Sequence, residues 1–311
     1  MIAETAEISV RGKWVRTPAL TVDNHAIVVL GTWLKTAVIR DEEWLETPVT
    51  DPALCLESLN HARRSQIRAD IFTFTQKLPA IVPQFSYPLE WDSIAVANTE
   101  SFGQWWERVP QETRKNVRRA ERRGVVVECR QFDDNLVRGI MEVSNETPIR
   151  QGRAYPHYGK TFEQVRKDHS AFLDRSDFIT AYFGDELVGF LKLVYRGGVA
   201  SILQLLAKVR HSDKRPANAL LAKAVECCAG RGIAQMTYGM FNYGRKRNAS
   251  LTEFKVRNGF AEVLVPRYYV PLTPWGALCM KLKVHNGLIG LLPNPLIQIG
   301  LTVRAAWYRH V

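Results

Sequence analysis

Three apolar runs joined by two short connections constrain this chain most. They are Asp177-Phe-Ile-Thr-Ala-Tyr-Phe183, Leu187-Val-Gly-Phe-Leu-Lys-Leu-Val-Tyr195 and Val199-Ala-Ser-Ile-Leu-Gln-Leu-Leu-Ala207, separated by Gly184-Asp-Glu and Arg196-Gly-Gly. Connections this short make hairpins, so the runs are expected to be successive antiparallel strands. A basic loop, Lys208 to Ala217, then feeds an apolar helix, Asn218 to Cys228, which Gly230 and Gly232 stop. Ala234-Gln-Met-Thr-Tyr238 is the next expected strand. It enters Tyr238 to Phe260, which reads as strand, glycine-bearing basic loop, short helix and stop. Ser250-Leu-Thr-Glu253 has the S-x-x-E form of a capping box. Asn258-Gly259 supplies a C-cap. Such a helix aims N–H groups, and here Lys255, at an anion or developing oxyanion.

The upstream chain reads differently. Residues 8 to 46 alternate as β-structure with turns at Asp23-Asn24 and Gly31. Residues 52 to 64 read as a helix and 69 to 74 as a strand, and Pro79, Pro83 and Pro88 make an irregular stretch. Residues 99 to 124 form a helical region in which Arg114, Arg118 and Arg122 share one stripe and Lys115, Arg119 and Arg123 the next. A solvated charged face and an anion-facing helix both fit that pattern. Val125 to Cys129 is an expected strand, and Asp133-Asp134 caps a helix to Ser144. The long loop from Asn145 to Lys160 carries Arg150, Arg153, Tyr155, His157 and Tyr158 and reads as a substrate-covering loop. Phe162 to Leu173 reads as a helix, and residues 261–265 and 267–272 as a final strand pair. The expected division is an N-terminal α/β subdomain at 1–97, a larger domain at 98–272 and a basic amphipathic tail at 273–311.

The 311 residues carry a net charge of +11, which implies an acidic partner such as nucleic acid, an anionic membrane or a phosphorylated substrate. The five cysteines are odd in number and contain no CxxC, so neither a disulfide framework nor a zinc site is expected. His157 has no second histidine at a ligand spacing, and no metal is expected. The first residues lack the form of a signal peptide, and a run of about 18 apolar residues is missing, so the expected location is cytoplasmic. The tail has Lys281, Lys283, Arg304 and Arg309, no acid, and apolar runs broken by Pro293 and Pro295. It suits peripheral contact with an anionic membrane, at the inner face.

The element order from 125 to 272 resembles the GNAT acyltransferase fold. This implies an α+β protein whose mostly antiparallel sheet is flanked by helices. The smaller N-terminal subdomain would be a truncated second half of the same kind. In that superfamily a Gln/Arg-x-x-Gly-x-Gly/Ala loop holds the pyrophosphate of acyl-CoA. Ser212, Arg215 and Ala217 fall at its positions here, and the last one fits.

A closer resemblance is to Fem-type aminoacyl and peptidyl transferases and related cell-envelope acyltransferase domains. It rests on Arg114-Lys-Asn-Val-Arg-Arg-Ala-Glu-Arg-Arg-Gly-Val125, on Pro216-Ala-Asn-Ala-Leu-Leu221, and on Ser250-Leu-Thr-Glu-Phe-Lys255 followed by Asn258-Gly-Phe260. The resemblance implies transfer of an acyl or aminoacyl group from acyl-CoA or aminoacyl-tRNA to an amine or hydroxyl, without a metal. Lys255, Tyr238 and Tyr243 are the candidate catalytic residues. Arg210, Lys214, Arg215, Ala217 and Asn218 would bind the donor. Arg150, Arg153, Tyr155, His157, Tyr158, Asn242 and Lys246 would bind the acceptor. The rival readings are a non-catalytic RNA-binding protein and a membrane-surface protein.

Overall fold

The computed structural model describes residues 4–10, 12–41, 45–62, 67–150, 153–242 and 250–287. The first elements in chain order are β1 (Glu4–Val10), β2 (Lys13–Val22), β3 (His25–Leu30), β4 (Thr36–Ile39), α1 (Pro52–Ala62), β5 (Ile71–Thr75) and β6 (Leu89–Asn98). Next come α2 (Phe102–Arg108), α3 (Gln111–Arg122), β7 (Val125–Arg130), α4 (Asp134–Ser144), β8 (Ile149–Arg150), β9 (Arg153–Ala154) and α5 (Phe162–His169). The last are β10 (Ser176–Phe183), β11 (Glu186–Arg196), β12 (Val199–Ala207), α6 (Pro216–Gly230), β13 (Gln235–Met240), α7 (Ser250–Arg257), β14 (Ala261–Pro271) and α8 (Pro274–Lys281).

Two compact units divide the chain, 1–92 with 264–311 and 93–263. The sequence punctuation suggested divisions at 97 and 272. The packed units divide inside β6 and β14 instead, because each of these strands gives one end to each unit. In the first unit β1 to β4 are successive antiparallel partners, β4 pairs β5 in parallel, and β5 pairs the end of β14. The β2–β3 hairpin turns on Asp23 and Asn24, at φ 45° and 63°. Positive φ at both positions gives the turn whose twist matches its strands, and Asp and Asn tolerate it best after glycine. Phe72, Phe74 and Tyr268 stack in this unit's core.

In the second unit the strand order is β6-β13-β12-β11-β10-β7, antiparallel except for β12 with β13. Side chains alternate across the sheet. Ile179, Ala181, Leu191 and Leu193 meet α6 on one face, whereas Phe178 and Phe190 meet α4 on the other. A sheet covered on both faces explains why β11 reads as a nearly unbroken apolar run. The architecture is α+β, with a mostly antiparallel sheet flanked by helices, as expected.

Three local expectations change. The final strand pair is one strand, β14, running through Pro266. That residue needs no donor there, and its carbonyl accepts from Gln76 N (2.9 Å) and Thr75 Oγ1 (3.2 Å). The expected helix to Leu173 ends at His169, and Phe172 turns left-handed at φ 59°. The loop from Asn145 to Lys160 contains the small hairpin β8–β9.

The end of α7 shows how sequence dictates local structure. Gly259 takes φ +85°, and Phe260 N closes on the Lys255 carbonyl at 3.0 Å. Trp105 of α2 donates its indole N–H to the Asn258 carbonyl at 3.1 Å. A Cβ on Gly259 would lie 2.8 Å from that indole nitrogen. Gly259→Ala therefore meets both a left-handed backbone and a clash, and should cost about 1–3 kcal/mol in urea unfolding.

Candidate active site

β12 and β13 run side by side only from Val199↔Gln235 to Ser201↔Thr237. The hydroxyls of Ser201 and Thr237, 2.9 Å apart, mark the last rung. β12 continues to Ala207, while the chain after β13 turns aside and Phe241 N donates to the Ser93 carbonyl at 2.8 Å. In open α/β sheets a crevice beyond the carboxyl ends of neighbouring parallel strands takes ligands, and the β12–β13 pair offers the same opening here. Two adjoining cavities of about 430 and 510 Å³ fill it, sharing Ala207, Val209, Ala217, Ser250 and Phe254.

The first cavity lies at the head of α6. Its walls include Ser212, Arg215 and Asn218, with Asn116 of α3 and Arg257 of α7 opposite. Arg215 stands at φ 58° immediately before Pro216, so the helix starts two residues earlier than expected. Proline suits that first position because its fixed φ is helical and its missing N–H would have no helical partner. Arg215 thus holds a left-handed conformation, which glycine adopts at less cost, at the position where the GNAT loop pattern has glycine.

The loop before α6 is held by acids. Glu146 accepts the backbone N–H groups of Val209 (2.6 Å) and Arg210 (3.0 Å). Glu186 receives Lys208, Arg210 and His211. Burial alone would raise the Glu186 carboxyl, but hydrogen bonds from these three side chains and the charge of Lys208 hold it down at about 2. Arg210 and Lys208 thus brace the loop. Lys214 lies 4.7 Å from the Phe183 ring centroid. Asn218 donates to Asn258 Oδ1 at 3.0 Å, tying α6 to the end of α7.

The second cavity is mostly apolar and adds Ile149, Arg150, Leu205, Leu206, Tyr238 and Leu251. Behind Tyr238 lies Lys255, fully buried, with its Nζ 4.7 Å from the tyrosine ring centroid. That Nζ donates to the Met240 carbonyl at 2.6 Å, and Thr252 Oγ1 donates to the Phe241 carbonyl at 3.1 Å. Buried carbonyls must find donors, and one face of α7 supplies two where β13 ends. Burial pushes the Lys255 ammonium down to about 8. Ser250 is the first residue of α7, and Glu253 pairs with Arg257 (2.5 Å).

The structure thus brings together Lys255, Tyr238, Arg150, Arg215, Ala217 and Asn218 around one crevice. Arg150 is bound to its surroundings by 2.9 Å hydrogen bonds to the carbonyls of Val143 and Ala207 and lies over the Tyr155 ring. Tyr155 accepts from Gln204 Nε2 at 3.2 Å. His157 lies beside the Lys160–Asp168 ion pair. Arg153 and Tyr158 are exposed. Asn242 donates to Glu262 (3.0 Å). Tyr243 and Lys246 lie outside the described residues. Sequence reasoning missed Glu146, Asn116 and Phe254 as parts of the site. Asn116 had a signal, standing within the quoted Arg-Lys-Asn run of α3; Glu146 had none, since its role depends on a loop over sixty residues away.

Residues 108–255 match the family described as Acetyltransferase (GNAT) domain. No curated protein matches the chain in sequence. Among solved structures, L-PGS from Bacillus licheniformis is similar at 14% identity and TM-score 0.55, over 89% of this chain and 90% of that one. The C-terminal domain of a putative lysylphosphatidylglycerol synthetase from Agrobacterium fabrum gives 15% identity and TM-score 0.53, over 86% and 88%. FemX gives 10% and 0.53, over 85% and 88%. At these identities the likeness is one of fold. Residues 108–255 are thus similar to a GNAT acetyltransferase domain, and the fold is similar to those of L-PGS and FemX.

Proposed function

We infer that the crevice transfers an acyl or aminoacyl group from an activated donor to an amine or hydroxyl. One observation carries this reading. The opening between β12 and β13 has the head of a helix and Arg215 on one side, and an apolar chamber with Tyr238 and the buried Lys255 on the other. A helix N-terminus with an arginine favours donor phosphate. The apolar chamber suits the acyl portion and excludes water from the reacting ester or thioester.

In this scheme the acceptor nitrogen or oxygen attacks the donor carbonyl. Its proton leaves, an oxyanion forms, and the donor thiol or ribose hydroxyl departs. Tyr238 faces the chamber and is the group placed to hydrogen-bond the oxyanion or relay the acceptor proton. Lys255 acts behind it, setting the tyrosine ring and the Met240 carbonyl and adding positive charge in a low-dielectric wall. Two donors fit this chemistry. Acyl-CoA suits the α6 head, whereas aminoacyl-tRNA also uses the exposed Lys115, Arg119 and Arg122 of α3. The lysylphosphatidylglycerol synthetase named above supports the aminoacyl donor, and so does the engagement of loop amides by Glu146. A cell-envelope or polysaccharide precursor is the acceptor class this reading favours.

Incubation with labelled acetyl-CoA, longer acyl-CoA and charged tRNA separates the donors, and failure of all three with amine and hydroxyl acceptors refutes transfer. Lys255→Met should lower kcat about 100-fold with little change in KM. The ammonium is the useful form, so wild-type turnover should be full below about pH 8 and fall above it. Lys192, the other buried lysine brought to about 8, binds the His169 and Ala171 carbonyls, so Lys192→Met should keep the same profile. On stability the sign is opposite. The unfolded chain binds more protons between about pH 8 and 10.5, so the penalty of burying Lys255 is present below 8 and is relieved as pH rises.

Arg215→Gly removes a left-handed arginine and a cation together. Unfolding should become harder by about 1 kcal/mol, while donor KM rises several-fold. Equal KM in the variant would remove Arg215 from the donor site.

A further inference from the structure

We propose that one face of α8, together with Trp33, docks on an anionic lipid surface. α8 is an inverted helix. A surface helix of a soluble protein buries its large apolar residues and exposes polar ones. α8 buries Gly276 and Cys279 instead, and exposes Trp275 (45%), Leu278 (46%) and, just past its end, Leu282 (55%). Their spacing places these three on one side of the helix.

The inversion is built in. A Cβ on Gly276 would lie 2.0 Å from the Asp70 carbonyl oxygen, so this close approach of the helix to the start of β5 requires a residue without a side chain. Cys279 packs with Leu34 and Ile71. The large side chains are thereby turned outward. Trp33, itself 51% exposed, meets Trp275 edge-on at 6.3 Å, and Trp275 Nε1 donates to the Trp33 carbonyl at 3.1 Å. The two indoles hold a fixed apolar platform with their polar edge satisfied. Indoles of this kind favour the headgroup level of a bilayer.

Charge selects the occupant. Lys35, Lys281 and Lys283, all exposed, lie within two residues of Trp33 or Leu282 in the chain. The neighbouring carboxylates are engaged: Asp70 accepts from Thr273 Oγ1 and Lys35 N, and Glu90 from His285 and Asn286. The sequence after Gly287 adds Arg304 and Arg309 and no acid. Apolar area with exposed lysines next to it in the chain matches an anionic lipid interface, and no helix among the described residues is long and apolar enough to cross a membrane. The proposal stands apart from the transfer reading, because it uses no residue of the crevice.

Flotation of the full chain tests it, with vesicles of phosphatidylcholine alone and of phosphatidylcholine mixed with phosphatidylserine. Wild type should float with the anionic vesicles and be released by salt. Leu278→Glu/Leu282→Glu, with circular dichroism unchanged, should lose at least about tenfold in partition. The same variant should keep full transfer to a water-soluble acceptor, so failure of docking and failure of catalysis are distinguishable. The proposal is overturned if wild type does not float, if the double variant floats equally well, or if light scattering shows a dimer that the variant splits.

Discussion

The parting of β12 from β13 after Ser201 and Thr237 is the constraint on which the site depends. A paired ladder satisfies its own backbone, and a parted one does not. The crevice therefore needs substitutes for the lost donors and acceptors, and it needs walls that do not close it. α7 provides the donors through Lys255 and Thr252. α6 provides a wall whose first residue is a proline and whose preceding arginine turns left-handed. Trp105 and Gly259 fix the far end of α7, so the whole arrangement is set by a few close approaches.

A buried lysine is costly in such a place. Lys255 loses its hydration and keeps a carbonyl partner, which favours the neutral amine relative to an exposed lysine. A merely structural donor to Met240 could be a neutral side chain. Under the proposed reading, a titratable group against the back of Tyr238 ties the geometry to proton and charge chemistry. The acids have the opposite task. Glu146 and Glu186 fasten the basic loop, and Arg215 lines the crevice at the helix head together with Lys208 and Arg257.

Charge runs in the sequence divided in the same way. Of the bases in α3 and at its C-cap, Arg114 pairs with Glu107, Arg123 pairs with Asp213, and Arg118 lies over Trp106. Lys115, Arg119 and Arg122 remain exposed. Helical spacing predicted the stripes, but it could not say which bases would meet acids from distant segments.

The sequence by itself determined the order of elements, the hairpins of β10 to β12, the glycine cap of α7 and the α+β class, because these follow from local turn chemistry and from apolar periodicity. Its F-K lysine and its α6 head were also legible as members of the candidate crevice, through motif resemblance. Only the tertiary structure decided that Lys255 points inward behind Tyr238 rather than outward at an anion, that Arg210 braces Glu186, and that β14 runs unbroken through Pro266. It also decided that α8 buries glycine and exposes tryptophan. The physical reason is common to all four. Which face of an element is buried, and which charge finds a partner, depends on neighbours remote in the chain, and local spacing carries no record of them.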